Sequence, residues 1–408
     1  MEINRHGLTL HSAIHPVFRV CRDARGAIES IGLGGTEAST DRCRLESFIH
    51  FEVDRTGEAT RLDALRVGIG AALGDVRAAV EDWPRMRQIA QETVAGMANS
   101  ADAGTPDSTE ARAFLQWMLD DHFTFLGQRD YELVSRDGQF FLRGVAGSGT
   151  GILREALRDP GADDLTPLPP AARAIIEGAS PIFITKANSR STVHRPGYLD
   201  YVGVKLLDAN GKLFGERRYV GLYTSTAYMV STSEIPLVRR KCANILQRAG
   251  FLTKGHLYKS LVTILEQYPR DELFQADEDE LFDITLGILR LQEHQRTRLF
   301  VRRDRFDRFI SCLVFVPRDK YNTDLRQRIQ KLLVQSFNGT SCEFTPQLSE
   351  SPLARIQLTV RGQPGTMPEV DTRELEEKIV QATRRWQDDL AQALHDSRGE
   401  ENGNRLLR

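Results

Sequence analysis

The chain of 408 residues has few cysteines, and no two of its five form a CxxC pair. Cys21, Cys43, Cys242, Cys312 and Cys342 are scattered and odd in number, so neither a zinc site nor a disulfide framework is suggested. Cys312 and Cys342 lie in apolar strand-like runs and read as buried free thiols, which fits a reducing cytoplasm. Tight metal spacings such as HExxH are missing, so no metal site is expected. No window approaches the roughly 18 apolar residues of a membrane span. The opening MEINRHGLTLHS lacks the apolar stretch of a signal peptide. An excess of positive charge is missing too: 54 basic against 56 acidic residues leave a net charge of −2. That argues against a nucleic-acid partner. Acids interrupt the local cluster Arg302, Arg303, Arg305 and Arg308, which reads as solvated surface.

What is present is globular. Hydrophobic content of 40% and charged content of 27% are close to the average for packed domains. At roughly 100–200 residues per domain, two to four structural units are expected.

The N-terminal stretch gives three strand-like runs, HPVFRVCRD, AIESIGLGG and SFIHFEV. Helical spacing begins near Leu62 and runs towards Met97, with a break or kink expected at Pro84. Three strands and one helix make an incomplete module, so the chain is expected to begin inside one. The SFIHFEV run, around Phe48 to Val53, would then leave an unpaired edge. Ser100 to Ser108 reads as a linker. Phe114, Leu115, Met118 and Leu119 mark a short amphipathic helix. His122 to Val134 alternates as one long strand or a strand pair, and Asp137-Gly138 signals a hairpin. A loop is expected over Pro160 to Pro170, and three further strands over 181–187, 200–208 and 215–224. Residues 110–233 thus read as a mostly antiparallel sheet with helices at its edges.

A helical stretch follows at 234–296. Pro236 opens its first helix and Gly250 stands at the C′ position. The second helix ends before Pro269, and Asp271 caps a third that runs through Leu291. From 297 to 365 the order is strand, strand, helix, strand, strand, with the continuous run Ile310 to Val316 as a central strand. That order fits a small α+β sandwich. Leu375, Ile379, Trp386 and Leu390 then recur on one face of a helix over 371–395, which would expose an apolar stripe or fold back on the preceding sheet.

Several long segments together carry a family resemblance. They are WMLDDHFTFLGQRDYEL (Trp117 to Leu133), TGILR (Thr150 to Arg154) and the run from Lys186 to Ser225. YPRDELFQ (Tyr268 to Gln275) and the run from Val301 to Ile329 complete the set. In this order they resemble the N-terminal part of the large bacterial NAD-specific glutamate dehydrogenases. The resemblance implies an α+β, multidomain chain of ACT-like (ferredoxin-like) modules and a PAS-like antiparallel sheet domain joined by helical segments. Residues 1–100 would hold the C-terminal part of a first ACT-like module plus a linker helix. Residues 110–233 would be the PAS-like domain, 234–296 helical, 297–365 a second ACT-like module, and 366–408 a helix leading to a downstream region. The resemblance further implies a parent reaction that converts L-glutamate, NAD and water to 2-oxoglutarate, ammonium and NADH. NAD belongs to the parent protein, and no cofactor is expected in this chain. Implied partners are a downstream dehydrogenase domain, other subunits of a homo-oligomer and an amino-acid effector.

Chemistry within the chain itself is sparsely signalled. Glycines 32, 34 and 35 precede Glu37, where a dinucleotide fingerprint needs its third glycine. Glycines 144, 147, 149 and 151 lack a following βαβ unit and read as a turn or loop. Asp120, Asp121 and His122 stand at a helix-to-strand junction and read as turn residues, without a nucleophile or metal-spaced partner. Two sets remain as effector or interdomain contacts. The run KANSRSTVHRP offers Lys186, Arg190, His194 and Arg195, which can bind an anion or order the loop against a neighbouring domain's carboxylates; the second is favoured. The turn at Arg303, Asp304 and Arg308 offers both charges a zwitterion needs, though it can equally be an ordinary charged hairpin. Catalytic, cofactor-binding and metal residues are expected to be none. The favoured function is a non-catalytic regulatory and oligomerisation segment of a glutamate dehydrogenase, the alternative a stand-alone metabolite sensor or scaffold.

Overall fold

The structure is a computed structural model. It describes residues 1–33, 42–100, 102–155, 165–168, 178–208, 210–291, 295–347, 351–384, 393–394, 396–399, 402 and 405. The chain divides into two compact units, residues 1–81 with 190–197, and residues 82–189 with 198–408. No helix among the described residues is long and apolar enough to cross a membrane.

In the first unit, α1 (Glu2–Arg5) precedes β1 (Leu10–Ile14), β2 (Val17–Arg22), β3 (Ile28–Leu33), β4 (Cys43–Ser47) and β5 (His50–Val53). The run SFIHFEV, expected as one strand, is divided between β4 and β5. Phe48 N–H leaves the ladder to donate to Pro16 O at 3.0 Å. β5 lies antiparallel to β1, a strand the sequence reading missed, in a two-stranded sheet, so among the described residues β5 still has one open edge. The other sheet has the order β3-β2-β4. Its antiparallel register sets Cys21 directly opposite Cys43, and the two form a disulfide. This corrects the expectation that the scattered cysteines form no disulfide. Cysteines 22 residues apart look scattered along the chain, yet facing positions on paired strands bring their side chains within bonding reach. Cys242, Cys312 and Cys342 are free.

Helix α2 (Ala59–Ala98) continues through Pro84, so the proline does not end it. Proline removes one N–H four residues after Val80, and Val80 is 67% exposed, so water can take up the freed carbonyl. Helix α3 (Pro106–Trp117) begins inside the stretch read as a linker. Thr105 accepts the Ser108 N–H at 3.2 Å and proline takes the first helical position. A wide turn over 118–122 follows, where Asp121 adopts φ +64°; the acids there end the helix, as their spacing suggests.

β6 (Phe123–Arg136) is a single long strand. It turns through Asp137 (φ +50°) and Gly138 (φ +76°) into β7 (Gln139–Gly144), the backbone a two-residue hairpin demands. With β8 (Thr150–Gly151), β9 (Leu165–Pro167), β10 (Ile182–Arg190), β11 (Tyr198–Leu207) and β12 (Leu213–Tyr223) it builds a seven-stranded sheet, ordered β10-β11-β12-β6-β7-β9 with β8 on β6. The expected loop over Pro160 to Pro170 contains β9, and its residues 160–164 and 169–170 lie outside the described residues. After α4 (Ser225–Met229) come α5 (Val238–Ala249), α6 (His256–Gln267), α7 (Arg270–Gln275) and α8 (Glu278–Leu291). Gly250 closes α5 in the left-handed conformation. The expected third helix is two. Asp271 lies within the first turn of α7, and the chain restarts at Asp277, whose carboxylate accepts the Glu280 N–H at 2.8 Å. Sheet and helices share one core, which joins Phe123, Tyr219 and Tyr223 to Ile245, Leu265 and Leu281.

The last module is β13 (Arg298–Arg303), β14 (Phe309–Pro317), α9 (Thr323–Ser336), β15 (Ser341–Gln347), β16 (Leu353–Arg361) and α10 (Thr372–Thr383). Its antiparallel sheet has the order β13-β14-β16-β15, with β14 central as its unbroken apolar run requires. Two strand hairpins, each followed by a helix, in this order make a circularly permuted ferredoxin-like sandwich. Leu375 and Ile379 of α10 are buried at 1% and 0% exposure with Ile329 and Leu358, so on these residues the helix folds back and exposes no stripe. Trp386 and Leu390 lie outside the described residues. Asn322 caps α9 by accepting the Leu325 N–H at 2.8 Å. Asn322→Ala is expected to cost about 1 kcal/mol, measured as a lower denaturant midpoint at unchanged slope.

Candidate functional site

Within the second unit lies a cavity of about 340 Å³. Five segments far apart in sequence meet around it: the start of α3, strand β10, the α5 and α7 helices, and the turn after β13. Its chemistry begins with a local conflict in α5. The segment Arg239-Arg240-Lys241 falls in the first turn, where the helix dipole disfavours positive charge, and no acid accompanies it there. Leu237, just before the helix, adopts φ +67°, and its N–H donates to Glu110 at 2.7 Å. Each cation is then answered differently. Arg239 meets Glu110 at 2.6 Å. Arg240 gives one nitrogen to Asp107, while its Nη1 is buried without a hydrogen-bond partner. Lys241 donates from Nζ to the carbonyls of Leu273, at 2.8 Å, and Ala276. Burial pushes the Lys241 ammonium down, Arg305 and Arg302 push the same way against Cys242 and Asp277, and its pKa falls to about 8.

From α7, Gln275 donates its amide to Asp271 O at 2.8 Å and leaves Oε1 buried without a partner. Asp304, Arg305 and Phe306 come from the turn after β13. Arg305 reaches Asp277 at 3.2 Å, and Phe306 stands 6.1 Å from Phe183 and 6.3 Å from Tyr201. Arg302 is forked onto Glu272 at 2.6 and 3.0 Å with both residues buried. Arg302 at 4% exposure is therefore not the solvated residue expected from its neighbours; an acid thirty positions earlier in the chain lets it be buried.

Of the residues anticipated from sequence, Asp304 and Arg308 come together at 2.7 Å, and Thr185 of β10 donates to Asp304 at 3.1 Å. Arg303 points elsewhere, to Asp307 at 2.6 Å and to the carbonyl of Pro368 at 2.6 Å. Lys186 sits between Asp200, at 2.6 Å, and Asp271 of α7, at 3.2 Å, and Tyr228 donates to Asp271 at 2.9 Å. Arg190, His194 and Arg195 belong to the first unit, where His194 is exposed with φ +70° and Thr192 donates to Asp75 at 2.6 Å. Sequence reasoning missed Arg240, Lys241 and Gln275. The one signal for them was three successive cations at a helix start.

The second glycine-rich run does not fit a dinucleotide. Gly34, Gly35 and Glu37 lie outside the described residues. At the second run, Gly151 N–H already donates to Asp82 at 2.7 Å, and Arg154 covers the same carboxylate at 2.6 Å. A carboxylate thus occupies the place a pyrophosphate would need. Among the described residues no three His, Cys, Asp or Glu side chains are grouped to hold a metal ion.

Comparisons with known proteins place these elements. Residues 1–69 match the family described as glutamate dehydrogenase, ACT1 domain. Residues 235–294 match glutamate dehydrogenase, helical motif 1, and 298–387 match glutamate dehydrogenase, ACT2 domain. The chain is 37% identical over 412 residues to the NAD-specific glutamate dehydrogenase of Pseudomonas aeruginosa, a match over 100% of this chain and 25% of that protein. It is 38% identical over 419 residues to the enzyme of the same name from Halomonas elongata, again over 100% and 25%. The Mycobacterium tuberculosis enzyme matches at 27% identity over 95% of this chain and 24% of its own length. The chain therefore spans about a quarter of the length of the curated relatives it matches.

Proposed function

Starting from the membership of this chain in the NAD-specific glutamate dehydrogenase family, as a match to an N-terminal part of those proteins, we propose that it is a regulatory and assembly segment of such an enzyme. The observation that carries the reading is the succession of ACT1, helical motif and ACT2 matches, with a ferredoxin-like sandwich at the last. In this reading the first ACT-like module and its linker helix occupy 1–100, a PAS-like domain 110–233 and helices 234–296. The second ACT-like module occupies 297–365, is completed by α10, and leads into the region 366–408. The parent enzyme would oxidise L-glutamate with NAD and water to 2-oxoglutarate, ammonium and NADH, in the cytoplasm. Its dehydrogenase domain and the other subunits would be the partners of this segment. Arg303, Asp304 and Arg308, with Lys186, Arg190, His194 and Arg195, are the proposed effector or interdomain contacts.

A small-molecule effector would act here by biasing the distant domain through a coupling free energy, typically 1–3 kcal/mol. The test compares a full-length enzyme containing this segment with the same enzyme lacking residues 1–408. The purified segment is expected to give no glutamate-dependent NADH. Its deletion is expected to change the assembly state or the effector response. A deletion variant with the same oligomeric mass and the same response as the intact enzyme would defeat the proposal.

A further inference from the structure

The cavity holds more donor capacity than its own acids answer. Arg302 is committed to Glu272, Arg305 to Asp277 and Arg308 to Asp304. Asp107 is taken by Arg240, and Glu278 accepts from Asn244 at 2.9 Å. Lys241 forms no ion pair among the described residues, and its hydrogen bonds go to two backbone carbonyls. Burying an ammonium that no carboxylate contacts is costly, as is burying an unpaired guanidinium N–H. Arg240 Nη1 is such an N–H. Both residues line the same space, together with the apolar Phe183, Phe274 and Phe306.

We propose that this cavity binds a compact organic carboxylate, its head held by Lys241 and Arg240 and its short apolar body against Phe183, Phe274 and Phe306. A carboxylate supplies what the two donors lack, one negative charge and more than one acceptor oxygen. The volume of about 340 Å³ lies at the small end of ligand pockets and suits a body of a few carbons. A divalent cation is disfavoured by the buried ammonium, and a bare inorganic anion would leave the aromatic wall unused. The inference deepens the sensing role proposed above. Binding stands on the cavity alone, and only its regulatory consequence rests on that role.

Calorimetric titration of the 408-residue chain tests it, with butyrate, the neutral isostere butyramide, L-2-aminobutyrate and inorganic phosphate as probes. Saturable one-site binding of butyrate or L-2-aminobutyrate is expected, with butyramide weaker by about tenfold or more. Lys241→Met and Arg240→Met are each expected to weaken the carboxylate by a similar factor, with circular dichroism unchanged. Arg240, whose outer nitrogen already faces Asp107 near solvent, supplies the readout if Lys241→Met does not fold. No saturable heat with either carboxylate, equal binding of butyramide, or phosphate binding tighter than both would overturn the proposal. Because the readout is binding to the segment itself, its failure is separable from a failure of the deletion experiment above.

Discussion

Replacing Lys186 with methionine is expected to destabilise the second unit by about 3–5 kcal/mol at pH 7, the range for removing one partner of a buried ion pair. The side chain is 13% exposed and touches two carboxylates, Asp200 at 3% and Asp271 at 33% exposure. One ammonium cannot neutralise both. Burial pushes the Lys186 pKa down, but the two carboxylates outweigh it and leave the value raised, so the ammonium stays charged throughout the neutral range. Asp200 is pushed up as well, which for a carboxyl favours the neutral form. Burial and the nearby Asp271 outweigh Lys186 and raise its pKa to about 6.

The sign of the pH effect follows. An aspartate raised from about 3.9 when unfolded binds its proton more tightly in the folded state. That contribution is complete below pH 4 and is lost as pH rises through 6, a decline on the order of 3 kcal/mol. Asp200→Asn should remove this slope and cost far less than Lys186→Met. The methionine variant should recover part of its loss at pH 5, where Asp200 is protonated. Urea unfolding at pH 5 and 7 for the wild type and both variants decides the matter. A loss below 1 kcal/mol, or one independent of pH, would mean that the cluster is solvated.

Lys186 also marks how far a one-dimensional reading reaches. That it is a charged residue in a run of cations was legible; that its first carboxylate, Asp200, stands on the next strand of its own sheet was not. Asp271, 85 positions later, was not legible as the partner, because it looked like a helix cap. The last module read well for a physical reason: each signal there is local. The unbroken run Ile310 to Val316 specifies a central strand, Asn322 specifies a helix start, and both occur as expected. The disulfide, the β1–β5 pair and the cavity all depend on register or on side chains from separate segments. Periodicity carries no information about those. The Arg239-Arg240-Lys241 run was the exception, a local conflict with the helix dipole whose resolution is long-range.

Arg302 makes the strongest test of how the last module is held to the helices. Its guanidinium is forked onto Glu272 of α7, with side-chain exposures of 3% and 7%. Burial pushes its pKa down, but Glu272 overrides this and keeps it raised. Removing Arg302 alone leaves a buried carboxylate, and removing Glu272 alone leaves a buried guanidinium. Each single change, Arg302→Met or Glu272→Leu, is therefore expected to cost about 3–5 kcal/mol. The double variant should behave differently, because two apolar side chains of similar size replace a pair whose desolvation already offsets most of its attraction. It is expected within about 1 kcal/mol of the wild type, or more stable. A double-mutant cycle by denaturant unfolding measures the coupling directly. Additive losses in the double variant would mean that the two residues stabilise the module separately. Single losses below 1 kcal/mol would mean that water reaches the pair, and that α7 is not fastened to β13 through this contact.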